Sequence, residues 1–513
     1  MVAMRSKTMP AQKDFSAFLT NYQQTLRSIF RERASDLHID SNRGLPPSIT
    51  REILSRGPLT PFIPASHGGR GEQPHESLAV LDATSYESLG LCLTLGINGA
   101  LFLQPVSKYA REEVKGDIFG RFLLHQNMGG LMMTEPDFGS DALNMRTSFL
   151  QDGDGGRFHI KGVKHWAGLT GLADYWLVLA RSRGPDGALG RDIGFFIADS
   201  HRPEQAVQVE EMFDNLGLYQ IPYGRSRIDV QIPEEQRLVP HKTGLTMMLD
   251  LLHRSRLQFP GIALGFLRRM LDEAVEHVQQ RNVGGKSLFS YDQVRRRIAR
   301  MQATVTAATA MCTFSAEHAH LSSDLSKEGI RANALKAVVT DFMHEAAQSL
   351  LQLVGAKGYR FGHIAGRSLV DSRPFQIFEG SNDILYEQLA QSLLKLMQRR
   401  KHVNLHDFLA SYKGSARAAE LLKNLTHFRL GNDLPQRSLV DLGRVLGLVI
   451  TMEMVVELRE RGYSSDLISN CLEQLRQEVA SRLATFRSEP NTSVVEEFGG
   501  AASWLDFVRT RPA

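Results

Sequence analysis

The sequence predicts an α+β multidomain chain: an N-terminal helical domain, a central β-barrel or sandwich domain, a C-terminal helical bundle and a helical extension. Three observations predict it. Hydrophobic spacing changes from helical to short β-type runs near residue 126, and returns to helical spacing after Gly244. Gly, Pro and Asp clusters punctuate the chain between these runs. The 513 residues are 42% hydrophobic and 23% charged, an ordinary globular composition on a chain long enough for several domains.

Residues 14–125 read mainly as helix. Leu78 and Leu81 lie three apart, as on one helix face. Leu89, Leu91, Leu93 and Leu95 alternate, which suits a strand as well as a buried helix; helix is the reading adopted. A loop rich in Pro and Gly (61–71) precedes them. Residues 126–240 read as β. Tyr175–Leu179 and Ile193–Ile197 are short aromatic and branched runs, and Ile228, Val230 and Ile232 alternate with polar residues up to Pro233. Residues 241–401 return to a period of 3.6, with Leu245, Met248, Leu249 and Leu252 marking one face and breaks expected at Gly284–Gly285, 327–329 and 355–366. Residues 402–513 form the helical extension, its 13 Lys/Arg balanced by 14 Asp/Glu.

Composition also excludes classes of function. The formal net charge is +4, far from the concentrated cation excess of a dedicated nucleic-acid binder. Cys92, Cys312 and Cys471 are few and scattered, which points to a reducing, cytoplasmic setting and offers no metal-ligand spacing. Arg5, Lys7 and Lys13 are not followed by an apolar segment of signal-peptide type. The apolar run Val445–Met452 is eight residues against the roughly 20 needed to span a bilayer, so no membrane span is expected. No dinucleotide-binding glycine fingerprint, complete P-loop, zinc-binding histidine pair or nucleophile elbow is present.

Several segments instead occur in an order that carries meaning. They are Met133-Thr134-Glu135-Pro136-Asp137-Phe138-Gly139-Ser140-Asp141; Gly162-Val163-Lys164-His165-Trp166; Arg281 to Gly285 with Gln293; Gln352 to Tyr359; and Ile377-Phe378-Glu379-Gly380-Ser381-Asn382-Asp383-Ile384. Together, from about Pro61 to Arg400, they resemble the acyl-CoA dehydrogenase family. The resemblance implies FAD as cofactor, held by Leu131, Met133, Thr134, Ser140, Trp166, Gly168, Ser381 and Asp383. It further implies that Arg281, Gln293, Gln352 and Gly355 serve the FAD of a neighbouring subunit, so that the protein is a homodimer or homotetramer. Ser140, Arg256 and Gly380 are then substrate-binding, and Glu379 is the catalytic base. The substrate implied is an acyl thioester of coenzyme A or of an acyl carrier protein, with an electron acceptor such as an electron-transferring flavoprotein. Arg295, Arg296, Arg297 and Arg300 form a basic helical patch that suits an acidic carrier, or simply a solvated face.

Residue chemistry gives the same assignment a physical basis. A base that removes a proton beside a thioester carbonyl needs poor solvation, and Phe375, Ile377 and Phe378 are expected to bury Glu379 and raise its pKa. Taken singly, plainer roles compete: Glu379 as a helix-opening acid, Thr134 as a turn cap, Trp166 as core, Ser140 as a turn serine, Arg281 and Arg256 as surface cations. Some relatives place the base on the helix that begins near Leu252, which here reads His253-Arg254-Ser255-Arg256 without a carboxylate. The chain also departs from the family pattern. Gly168 stands where most members carry a hydroxyl, with Thr170 two residues on, and Gly284, Ala356 and Val370 replace Phe, Gly and Arg. The alternatives carried forward are an acyl-thioester oxidase and a non-catalytic flavin-binding scaffold.

Overall fold

A computed structural model describes residues 14–34, 44–71, 73–153, 155–431, 433–487, 493–496 and 504–508. The basic positions Arg5, Lys7 and Lys13 lie outside them.

Helices Phe15–Arg27, Pro47–Leu54, Pro74–Glu87, Leu89–Gly96, Gln104–Tyr109 and Glu112–His125 build the first layer. The Ser88 hydroxyl opens the fourth by accepting a hydrogen bond from Leu91 N at 3.2 Å. Its alternating leucines belong to a helix because Gly90, Cys92 and Thr94 are buried as well. With burial all round, periodicity loses its power to separate helix from strand. Continued through the wider turn Ile97–Leu103, the stretch Leu89–Tyr109 has the length and apolar character of a membrane span, yet 89% of it is buried inside the protein.

The central strands are β1 (Gly129–Met132), β2 (Ser148–Gln151), β3 (Arg157–Gly168), β4 (Tyr175–Arg183), β5 (Leu189–Asp199), β6 (Gln208–Met212) and β7 (Tyr223–Pro233). They form one seven-stranded mixed sheet. Strands β1 and β2 both run parallel along one edge of β4, while β5 pairs antiparallel on its other edge. The sheet then continues β2–β3–β7–β6 through antiparallel pairs. Ile228, Val230 and Ile232 face the core, as their alternation predicts.

Helices Gly244–Arg256, Phe259–Gln280, Asp292–His318, Gly329–Val354, Ile364–Ser372 and Asn382–Arg399 follow. Leu252 lies in the last turn of Gly244–Arg256, not at a helix start. Gly284 and Gly285, at φ +57° and +80°, turn the two-residue hairpin that links Gln280 to the next helix. After residue 402 come short helices and then Gln436–Glu460 and Ser465–Arg487. The former crosses Asn382–Arg399 so closely that a Cβ on Gly443 would stand 2.0 Å from the Tyr386 carbonyl oxygen. Its Val445, Val449, Met452 and Val455 are fully buried. This part of the extension is therefore continuous with the core of the helical bundle.

Candidate active site

Four parts of the fold meet at one cavity of about 120 Å³. The buried helix contributes Leu93, Ile97 and Leu101; β1 and the residues after it contribute Leu131, Met133 and Thr134; β3 contributes Trp166 and Gly168; and the turn before Asn382–Arg399 contributes Phe378 and Glu379.

Glu379 sits in a turn that few residues adopt. Its φ is +54° and that of Gly380 is +92°, so two consecutive residues are left-handed and the first bears a side chain. The Ser255 hydroxyl donates to Glu379 Oε1 at 2.8 Å. Oε2 is shielded from solvent and takes no hydrogen bond. Burial pushes the carboxyl above its ordinary pKa, against the opposing pull of Ser255, Arg256 and Lys336. The helix is opened not by Glu379 but by Ser381, and its first-turn acid is Asp383. One expected shield is absent: Ile377 is 56% exposed, because both Ile377 N and Phe378 N fold back onto the Pro374 carbonyl and the turn sends Ile377 outward. Phe375, fully buried, and Phe378 do the shielding, packed against each other and against Phe259.

Trp166 lines the same cavity. The pairing of β3 with β7 shifts register between His165 and Ala167, and Trp166 takes φ +55° there. The bulge leaves the indole half exposed beside Phe213, with ring centroids 4.6 Å apart. Such an indole at the edge of an apolar cavity suits the face of a flat aromatic ligand. Thr134 is fixed nearby: its carbonyl accepts from His165 N at 2.9 Å. Behind it a buried ion pair locks the loop to the sheet, with Lys164 Nζ 2.9 Å from Glu135 Oε1 and the backbone N–H groups of Arg146 and Thr147 donating to the same carboxylate. Burial lowers the Lys164 pKa to about 8, and Lys164 with the backbone donors holds the Glu135 carboxyl below its ordinary value against the cost of burial.

The remaining expected residues lie elsewhere. Arg256 stands behind Glu379, its guanidinium donating to the Glu379 carbonyl at 2.8 and 3.0 Å and to Asn333 Oδ1 at 2.7 Å. Thr170 does not replace the hydroxyl missing at 168: it is buried and donates to the Ala167 carbonyl at 2.6 Å. Ser140 is exposed outside the cavity, and Asp383 pairs with Arg444 of the extension at 2.9 Å. Arg281, Gln293, Gln352 and Gly355 are all exposed and none lines the cavity. Arg300 binds Glu345 and Glu478, so the basic patch is partly neutralised within the chain.

Three functional-site residues escaped the sequence reading. Ser255 looked like filler between two arginines. Lys164 follows Phe158 and Ile160 on the inward parity of β3, and Lys336 stands alone in the apolar run Ala334–Val339. In both lysines, a cation at a core position was the available signal.

Comparison with known proteins identifies the family and the fold. Residues 19–123, 130–230 and 242–394 match the models of the acyl-CoA dehydrogenase N-terminal, middle and C-terminal domains. The L-prolyl-[peptidyl-carrier protein] dehydrogenase of Pseudomonas fluorescens is 26% identical over 341 residues, covering 64% of this chain and 86% of that protein. An acyl-CoA dehydrogenase of Bacillus subtilis is 25% identical, covering 63% and 83%. Among solved structures, butyryl-CoA dehydrogenase from Megasphaera elsdenii superposes with a TM-score of 0.65 at 20% identity, over 77% of this chain and 100% of that one. An acyl-CoA dehydrogenase from Bacillus anthracis gives 0.75 at 16% identity, over 93% and 88%, a match that reaches into the extension.

Proposed function

Because the chain belongs to the acyl-CoA dehydrogenase family, we propose that it is an FAD-dependent dehydrogenase that introduces an α,β double bond into an acyl thioester, with Glu379 as base. The observation that carries this reading is the Glu379 carboxylate, on a residue that lines the largely apolar cavity: one oxygen is tied to Ser255, while the other is buried without a hydrogen-bond partner. A structural carboxylate would have both oxygens satisfied; a base needs one free for the proton it takes.

The cavity lining is of the kind the cofactor needs. Leu131, Met133, Thr134 and Trp166 line the same cavity as Glu379 and would hold the flavin ring. Bound there, the flavin supplies the acceptor for the hydride that leaves the β-carbon. The protein's own part is to bind the acyl chain against Leu93, Ile97 and Leu101, exclude water, and accept the α-proton at Glu379 Oε2. Arg281, Gln293, Gln352 and Gly355 face solvent within one chain, consistent with service to a neighbour's FAD in a homo-oligomer. The carrier, whether coenzyme A or a carrier protein, and the electron acceptor are to be found by assay.

The test is anaerobic flavin reduction by acyl thioesters on both carriers, comparing wild type with Glu379→Gln at equal flavin content. A loss of about 10²–10⁴-fold in the variant is expected. Equal rates would remove Glu379 from the mechanism and restore the scaffold alternative. Re-oxidation of the reduced protein in air, fast or slow, separates an oxidase from a dehydrogenase.

A further inference from the structure

The left-handed turn at 379–380 is gripped from two sides by cations on different helices. Arg256 holds the Glu379 carbonyl. Lys336, on Gly329–Val354 and fully buried, donates from Nζ to the Gly380 carbonyl at 2.8 Å and to Asn382 Oδ1 at 3.0 Å. Asn382, the first residue of the following helix, is itself tied by Nδ2 to the Ala337 carbonyl, Thr340 and Asp341. Lys336 also lies over the Phe259 ring, 5.9 Å from its centroid, the ring that packs on Phe378. We propose that Lys336 is a positioning residue for Glu379: with Arg256 it clamps the two consecutive carbonyls and so holds the carboxylate-bearing turn against the cavity.

Two adjacent left-handed residues, one with a Cβ, cost on the order of a few kcal/mol unless their surroundings over-determine them. The turn's own backbone carbonyls are its handles, and both are taken by buried cations. Among the described residues, the donor to the Gly380 carbonyl is Lys336 Nζ. The clamp has an electrostatic consequence. The charged groups facing Glu379 are Arg256 and Lys336, with the Ser255 hydroxyl as its hydrogen-bond donor; Lys336 itself faces Asp341 as well as Glu379 and Arg256. His165 and Tyr223 also line the cavity. Burial lowers the Lys336 pKa to about 7, and in its charged form the amine favours the Glu379 carboxylate.

The inference rests on Glu379 being the base, and its test separates the two. Lys336→Met removes donor and charge; Lys336→Gln keeps a donor without the charge. The protonation midpoint of Glu379 is read in the flavin-loaded protein by difference infrared spectroscopy, with Glu379→Gln identifying the band. The acid limb of anaerobic flavin reduction is measured alongside. In both variants the midpoint is expected to rise by about one unit, the usual effect of losing one nearby opposite charge. Lys336→Met is expected to lose 10-fold or more in reduction rate with less than a 3-fold change in half-saturating thioester, and Lys336→Gln to lose less. If Lys336→Met does not fold, Lys336→Gln decides on the midpoint. An unmoved infrared midpoint with wild-type reduction overturns the clamp. A moved midpoint in a protein whose Glu379→Gln variant reduces normally overturns the base assignment and leaves the clamp standing.

Discussion

Gly168 is where the chain departs most pointedly from its family, and the structure says what a hydroxyl there would meet. A Cβ built on Gly168 lies 2.6 Å from Ile97 Cδ1, 3.1 Å from Ile221 Cδ1 and 3.4 Å from Tyr223 Cε1. The first distance is about 1 Å inside carbon–carbon contact, so Gly168→Ser must displace the Ile97 methyl, which belongs to a buried helix wall. Overpacking of this kind costs about 1–3 kcal/mol. One neutral hydrogen bond contributes only about 0.5–1.5 kcal/mol net, which by itself would let serine be tolerated; the overlap with Ile97 makes that tolerance unexpected in the wild-type background. Ile97→Val removes that methyl; by itself it costs about 0.5–1.5 kcal/mol. Combined, the two changes should cost less than their sum by about 1 kcal/mol, because valine vacates the space that serine needs. The assay is a four-member urea-denaturation cycle of the flavin-loaded protein, with flavin reduction measured on each member. Additive costs would refute the packing argument and leave Gly168 without a steric explanation.

Lys164→Met strands Glu135 as a buried carboxylate with only backbone donors, and should cost about 3–5 kcal/mol in chemical denaturation. Arg444→Ala breaks an ion pair whose carboxylate partner, Asp383, is largely exposed, and should change stability by less than about 1 kcal/mol and leave flavin reduction near wild type. The raised pKa of Glu379 fixes a sign for pH. A carboxyl whose folded pKa lies above its unfolded value weakens the fold increasingly as pH rises through that interval. Glu379→Gln should accordingly gain in melting temperature over wild type from the ordinary carboxylate range upward, with no gain below it. Sedimentation of the flavin-loaded protein should show a dimer or larger, and Arg281→Ala should weaken flavin retention without moving the melting temperature of the flavin-free chain; a monomer with full flavin content would contradict the shared-site reading.

The order of layers was legible because the hydrophobic period changes where helix gives way to sheet and back, and Glu379 stood out as the candidate base because it lies in a contiguous motif. What the sequence hid is of two kinds. The cavity wall of Leu93, Ile97 and Leu101 comes from a helix buried on every side, where spacing carries no directional information. The contacts that hold the site join residues more than a hundred apart, such as Ser255 to Glu379, or set a cation from one helix onto a backbone carbonyl of another, as Lys336 does on Gly380. No local pattern encodes a bond whose acceptor is a carbonyl. Arg256 shows the limit from the other side: its motif position drew attention, yet only the fold reveals that it grips the turn and not the cavity.

Strain in this chain is placed, and its placement argues for the same site. Among the described residues, six other than glycine have positive φ: Gln126, Trp166, Leu169, Leu218, Glu379 and Lys401. Gln126 and Lys401 sit at helix ends, where a left-handed residue satisfies the last carbonyls. Trp166 and Glu379 do not cap helices; both line one cavity, as does Gly168, the neighbour of Leu169. Each of the two is secured from behind by buried charge, Trp166 through the β3 strand that carries Lys164 and Glu379 through Arg256 and Lys336. Buried cations are poor stabilisers, since desolvation offsets most of what their hydrogen bonds return. Two such devices, each serving one of the two strained residues that line the cavity, are what a fold carries when it must hold an aromatic platform and a carboxylate at one site. A core selected for stability alone would relax both turns and fill the cavity with methyl groups.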